Sequence, residues 1–372
     1  MGLTYDDLHS GDASTSTTKN ALDNLLLGTA QGPISSAISD TWRGINHRQT
    51  PNAVPINRDY HGYTFFTRPR CNMTTQNLQQ FRKFAPMLNT DDLTIARAIR
   101  ATLDTDAKVV GDGKQSHSSR LVDDYQVFIP ILTNQLVSIS GWQDLMLPTY
   151  TAKPGSYQES FSMADGVVEH YGTYDLHCNF RNLAGDPITA LFFYWIHYQS
   201  LVYQGIMVPY PDMIIDNEID YMTRIYRLVM DPSRRFVQKI AATGASFPID
   251  DPIGNAFNFE ADNGPINRAN DQLTITFRCN GMMYQDDILI REFNQAVVLQ
   301  NSQMDDSGDT SNMDSTREQY YVQLDQKYAP LFNNMGYPRI NPDTYELQWW
   351  VDKDIYNNVV GQYQADNTAP SS

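Results

Sequence analysis

Catalysis needs side chains that can exchange a proton or hold a metal, and this chain offers few at a working spacing. Two carboxylate pairs, Asp250-Asp251 and Asp286-Asp287, are the candidates for acid–base work. Neighbouring residues on a strand point to opposite faces, and each pair borders a loop, so both read as turn and surface acids. His170 and His177 are an odd number of residues apart and fall on opposite faces of a strand. Cys71, Cys178 and Cys279 are far apart and show neither CxxC nor Cys/His ligand spacing. They read as buried free thiols of a chain folded in a reducing compartment. Asp305, Ser307 and Asp309 have the spacing of a calcium loop, yet Thr310 stands where glycine is required and Thr316 where the bidentate glutamate belongs. Gly111-Asp112-Gly113-Lys114 resembles the end of a phosphate loop without its GxxxxGK[ST] spacing or a leading strand. HExxH, GxSxG and the dinucleotide fingerprint are missing too. No residue is therefore assigned to catalysis, a cofactor or a metal, and the expectation is a protein that is not an enzyme.

Charge narrows the partners. Against 43 acids stand only 27 lysines and arginines, a formal charge of −16, which opposes general binding to nucleic acid or anionic membrane. No stretch approaches the ~20 apolar residues of a membrane span, and the first residues lack the basic and apolar regions of a signal peptide. A soluble chain made in the cytoplasm is expected. Tyrosine is frequent, at 22 of 372 residues, and suits extensive subunit contacts because it buries a large area at low entropy cost.

The elements follow from periodicity. Residues from about Ser10 to Pro55 are rich in Ser, Thr, Asn and Gly and read as an extended arm. Helices are expected from Thr75 to Pro86, from Asp91 to Leu103 with Arg97 and Arg100 outward, and from Tyr125 to Gly141 around Pro130. Tyr174, Leu176, Cys178 and Phe180 alternate with polar residues as a half-buried strand. Asp186-Pro187 reads as an Asx cap with proline at the first helical position. The helix it opens, through Ile206, is apolar nearly all round, so something beyond one core face should cover it, either a neighbouring subunit or the inside of a large domain. Phe192, Phe193, Trp195 and Tyr198 are the candidates for a subunit interface. Tyr221–Met230, an Asp231-Pro232-Ser233 turn and Arg235–Ala241 read as a hairpin, with Ser246-Phe247-Pro248 entering a loop. Leu273, Ile275, Phe277 and Cys279 make the clearest strand. The core candidates are Tyr174, Leu176, Leu228, Leu273, Ile275 and Phe277. After Asn294 the sequence loosens into an acidic, Ser-rich linker.

GTYDLHCNF at 172–180, the helix after Asp186-Pro187, and YMTRIYRLVMDPSRRFVQKIAATGASFP at 221–248 together resemble the tail tube and tube-initiator (baseplate tube) family of contractile-tailed bacteriophages. The Leu273–Cys279 strand takes the part of that family's late strand. The resemblance covers about the middle third of the chain. It implies an α+β, mainly β fold: a tail-tube-like β-barrel or sandwich with a flanking helix, six copies of which close into a ring. On that basis residues 1–60 are an extended N-terminal arm, 61–143 a mixed helical insertion, 144–294 the tail-tube-like β domain, and 295–372 a linker and C-terminal extension. The extra segments depart from a plain tube subunit and resemble those of a large phage or a baseplate-proximal ring.

The implied function is a structural virion protein: a homohexameric ring of the tail tube or tube initiator, lining an acidic channel for DNA ejection. Its partners would be further copies and the adjacent tail tube, sheath or baseplate proteins, with DNA passing transiently and no cofactor. Assembly in the host cytoplasm is expected. A neck or tail-terminator ring is the alternative within that class. A carbohydrate-binding or carbohydrate-active β-protein, gripping sugar with Trp142, Trp349 and Trp350, is the alternative outside it.

Overall fold

The structure, a computed structural model, describes residues 59–107, 117–168, 172–258, 270–306, 315–333 and 336–368. Nearly all of the expected N-terminal arm, the 111–114 loop, His170, and Ser307, Asp309 and Thr310 of the calcium-like spacing lie outside the described residues.

The strands are β1 (Tyr60–Phe66), β2 (Leu136–Ser140), β3 (Thr149–Thr151), β4 (Ser162–Ala164), β5 (Thr173–Arg181), β6 (Ile225–Met230), β7 (Val237–Pro248), β8 (Gln272–Tyr284), β9 (Tyr321–Gln323), β10 (Tyr337–Ile340) and β11 (Leu347–Asp352). The helices are α1 (Thr75–Leu78), α2 (Ile95–Leu103), α3 (Pro130–Gln135), α4 (Pro187–Tyr203), α5 (Pro211–Ile215), α6 (Ile288–Gln300), α7 (Thr316–Tyr320) and α8 (Lys353–Thr368). Six strands form one sheet in the order β1-β6-β7-β8-β5-β2, three form a second in the order β10-β11-β9, and β3 pairs with β4 alone. The fold is thus mostly β with several helices, as the resemblance implies. The chain divides into two compact units, one holding Arg227–Ala241 and Tyr284–Ser372 with the start of β1, the other Thr64–Tyr226 and Ala242–Met283. Strands β1, β6, β7 and β8 each contribute residues to both.

In the unit holding Thr64–Tyr226, β5 and β8 run antiparallel with Tyr174 opposite Cys279, Leu176 opposite Phe277 and Cys178 opposite Ile275. These inward positions are buried, and the polar residues between them are more exposed. Against this face lies α4, whose Phe192 ring is 5.8 Å from Phe180 and 5.8 Å from Phe277, with Phe66 5.6 Å from Phe277. Aromatic pairs at such distances add to the burial of their area. The other flank of α4 is covered from the same chain. Phe84 packs on Tyr194 at 5.5 Å, and Lys83 lies over the Phe193 ring and 2.9 Å from His197 Nε2.

In the other unit Asp231 shapes the turn after β6, its carboxylate accepting from the backbone N–H of Ser233, Arg235 and Phe236. That bonding holds the Asp231 carboxyl below its ordinary range despite an opposing contribution from burial. Helix α6 is tied to β10 by Asn294, whose amide donates to Ile340 O at 2.7 Å and accepts from Ile340 N at 2.9 Å. The Arg317 guanidinium lies 4.2 Å over the Trp350 ring, a cation–π contact.

Several elements differ from expectation for physical reasons. The helix expected over Tyr125–Gly141 is confined to α3, with Pro130 in its first turn, because the following Leu136–Ser140 segment, in which Val137 and Ile139 alternate with serines, pairs as β2 with β5 through a bulge at Val137. Arg100 points inward rather than outward, donating to Met73 O, Met87 O and Thr75 Oγ1. Desolvation lowers its pKa to about 10. Asp186 does not cap α4 with its side chain; it sits at φ 51°, and its Oδ1 accepts from Asn182 and Asn270. Ser246-Phe247-Pro248 belongs to β7 rather than to a loop, and the chain stays helical past Asn294 to Gln300.

Candidate assembly surface

One group of ionisable side chains is enclosed. Asp104, fully buried, accepts from Tyr210 OH at 2.7 Å, Met73 N at 3.2 Å and Asp106 N at 2.9 Å, and its Oδ2 is 2.7 Å from His117 Nε2. Nearby, Tyr198 donates a short hydrogen bond to Asp220 and accepts from Asn72 N at 3.0 Å. Burial pushes the Tyr198 and Tyr210 phenols well up and raises the Asp220 carboxyl. The Arg68 guanidinium is spent on backbone carbonyls, including Asp104 at 3.0 Å and Gln126 at 3.1 Å. Such a closed network positions backbone, since buried charge persists where it is paired and bonded. No sequence motif announces it; its members come from residues far apart in the chain.

Three of the four acids in the two pairs are also engaged, while both Asp251 carboxylate oxygens are buried without a hydrogen-bond partner among the described residues. Asp250 accepts from Thr276 N and Oγ1, Asp286 from Ile288 N, and Asp287 from Tyr345 OH. Burial, with Asp250 adjacent, raises Asp251 to about 7. His177 is exposed on β5, 3.2 Å from Thr276 Oγ1. Among the described residues no group of three His, Cys, Asp or Glu side chains is placed to hold a metal ion.

Of the residues put forward for a subunit interface, Phe192, Trp195 and Tyr198 are fully buried within this chain, with Trp195 Nε1 donating to Tyr221 O at 3.0 Å. Phe193 is half-buried. Tyr174, Leu176, Leu228, Leu273, Ile275 and Phe277 are all buried. Of the three tryptophans considered for sugar, Trp142 belongs to one unit and Trp349 and Trp350 to the other. Trp350 lies buried beneath Arg317, and Trp349 stands edge-on to Tyr63 at 5.4 Å in a polar cleft of about 690 Å³ that also holds Gln326, Gln348 and Glu346.

The outer surface is unusual at one end of the large sheet. Among the described residues strand β2 is the last in the order, pairs only with β5 and leaves Val137 half exposed. Beyond Gly141 the β3–β4 hairpin stands away from the fold: every residue from 144 to 168 except Ala152 is exposed. Beside α3 lies an apolar groove of about 440 Å³ lined by Ile95, Ile99, Leu121, Val122, Ile131 and Leu191 among others. An open strand edge and a long exposed apolar arm are liabilities on an isolated monomer.

The class these features define is a mainly β protein with a strand edge and an apolar arm at its surface. The family described as "Putative phage tail tube protein" matches residues 10–365, and the chain belongs to that family. Among curated proteins no sequence relative matches. Two solved structures are similar over part of the chain. The anti-feeding prophage cap (AFP tube terminating cap) is 14% identical, with 42% of this chain and 81% of that one covered at a TM-score of 0.26. The sheath/tube terminator of the PVC extracellular contractile injection system, in its extended state, is 13% identical, with 43% and 87% covered at a TM-score of 0.24.

Proposed function

We propose that the chain is a ring-forming subunit of the tail tube or tube initiator, six copies of which enclose an acidic channel through which DNA passes. It takes no part in catalysis and mates axially with adjacent tube, sheath or baseplate proteins, having assembled in the host cytoplasm. The observation that carries this reading is the open end of the large sheet at β2, within a chain of the tail tube family. Backbone N–H and C=O groups on that edge exchange water for inter-strand hydrogen bonds when a neighbouring copy continues the sheet. Strong negative charge on the channel wall would repel the phosphate backbone and leave DNA free to slide. Native mass spectrometry of the purified protein and cryo-electron microscopy of particles test this together. Rings of about six copies around a lumen are expected, and a chain that stays monomeric at all concentrations would overturn it. Density repeating along the tail marks a tube subunit; a single ring at its end marks an initiator or terminator.

A further inference from the structure

Among the described residues nothing covers the β3–β4 arm and nothing fills the groove beside α3. We infer that the two belong together between copies: the arm of one subunit docks in the groove of a second copy of this chain. The inference rests on the ring reading only in requiring that copies associate.

On the arm, Leu145, Met146, Tyr157, Phe161, Met163 and Val167 are 52–91% exposed. Large side chains bury about 150–250 Å² each, so the uncovered area comes to roughly 800 Å², about what one partner contributes to a standard interface. A monomer's largest apolar patch seldom exceeds a few hundred Å². The arm's ladder has only three residue pairs, Thr149–Ala164, Tyr150–Met163 and Thr151–Ser162, and an isolated two-stranded hairpin is marginal in water. It therefore gains most from a partner that covers its apolar side chains.

The groove is matched in chemistry and position. Ile95 and Leu121 on its walls are 43% and 56% exposed, and Arg68 beneath them is committed to backbone carbonyls, so the opening asks for apolar side chains rather than for an anion. One wall, α3, ends at Gln135; β2 follows directly, and the arm leaves at Gly141. Groove and arm thus stand at opposite ends of one edge strand, about 16 Å apart at ~3.3 Å per residue. A copy that gives its arm at one end receives at the other. Such a head-to-tail contact is heterologous, and it closes into a ring when the rotation permits.

The test places a photoreactive benzoylphenylalanine at Phe161 in isotopically heavy protein, mixes it with light protein under assembling conditions, and maps the cross-links by mass spectrometry. The expected products join the heavy arm to light peptides containing residues 95–103 or 117–135. The Ile95→Asp/Leu121→Asp variant, changed only at exposed positions and checked for native circular dichroism, should give at least tenfold fewer. Assembly in which the arm links elsewhere, or only within its own chain, overturns the arm–groove contact while leaving the ring reading intact. Protein that never associates overturns both.

Discussion

Asp104 is fully buried, and its partners come from four places in the chain: Met73, Asp106, His117 and Tyr210. Removing one member of a buried charged pair strands the rest, so Asp104→Ala should cost about 3–5 kcal/mol of stability; urea unfolding measures it, with Arg120→Ala, an exposed pair with Asp92, costing under about 1 kcal/mol. Trp195→Asp would place a charge among Phe192, Phe277 and Tyr221. It should leave the protein insoluble or unfolded, whereas Phe193→Asp, at the margin, should fold; soluble yield and circular dichroism separate the two. Asp251 titrates near 7 in the fold and about 3.9 when unfolded. Between those values the unfolded chain gives up its proton and the folded one keeps it, so stability falls as pH rises through that window and stays lower above it. Asp251→Asn should flatten this fall, gaining about 1 kcal/mol at pH 8 once partial solvation is allowed for; thermal melts across the window would read it.

At the scale of elements, what was legible in the sequence is what a single period encodes. Alternation in β5 and β8 gave the buried positions, and Pro187 gave the start of α4. Where local preference competed with pairing, pairing won. The Leu136–Ser140 segment became an edge strand because β5 offered a partner, a fact that no local window contains. Arg100 turned inward because the carbonyls of Met73 and Met87 converge on it from outside its helix. The arm's sequence shows apolar residues but not their lack of cover, which depends on what the rest of the chain leaves unpacked. Gly141 joins β2 to that arm at φ 104°, and a Cβ there would overlap the Asp175 carbonyl oxygen. Gly141→Ala should therefore lower stability by about 1–3 kcal/mol and misdirect the arm; a lower melting temperature together with weaker association would show both effects.

At the scale of the whole molecule, a charge of −16 on every copy sets repulsion against any assembly. Raising ionic strength from about 0.05 to 0.5 M shortens the screening length several-fold, so the population of rings should grow, as mass photometry would count. In the proposed ring the same charge would both leave DNA free to slide and set the copies against one another. The three cysteines supply a way to watch the fold itself. Cys71, Cys178 and Cys279 are all free and fully buried, and burial raises each thiol's pKa, that of Cys279 to about 11. Because the thiolate is the reactive form, an alkylating reagent should find nothing to modify until the core opens. The rate of labelling is then a clock for that opening, and a thiol engineered on the arm would react at once as the one accessible handle for a dye or spin probe.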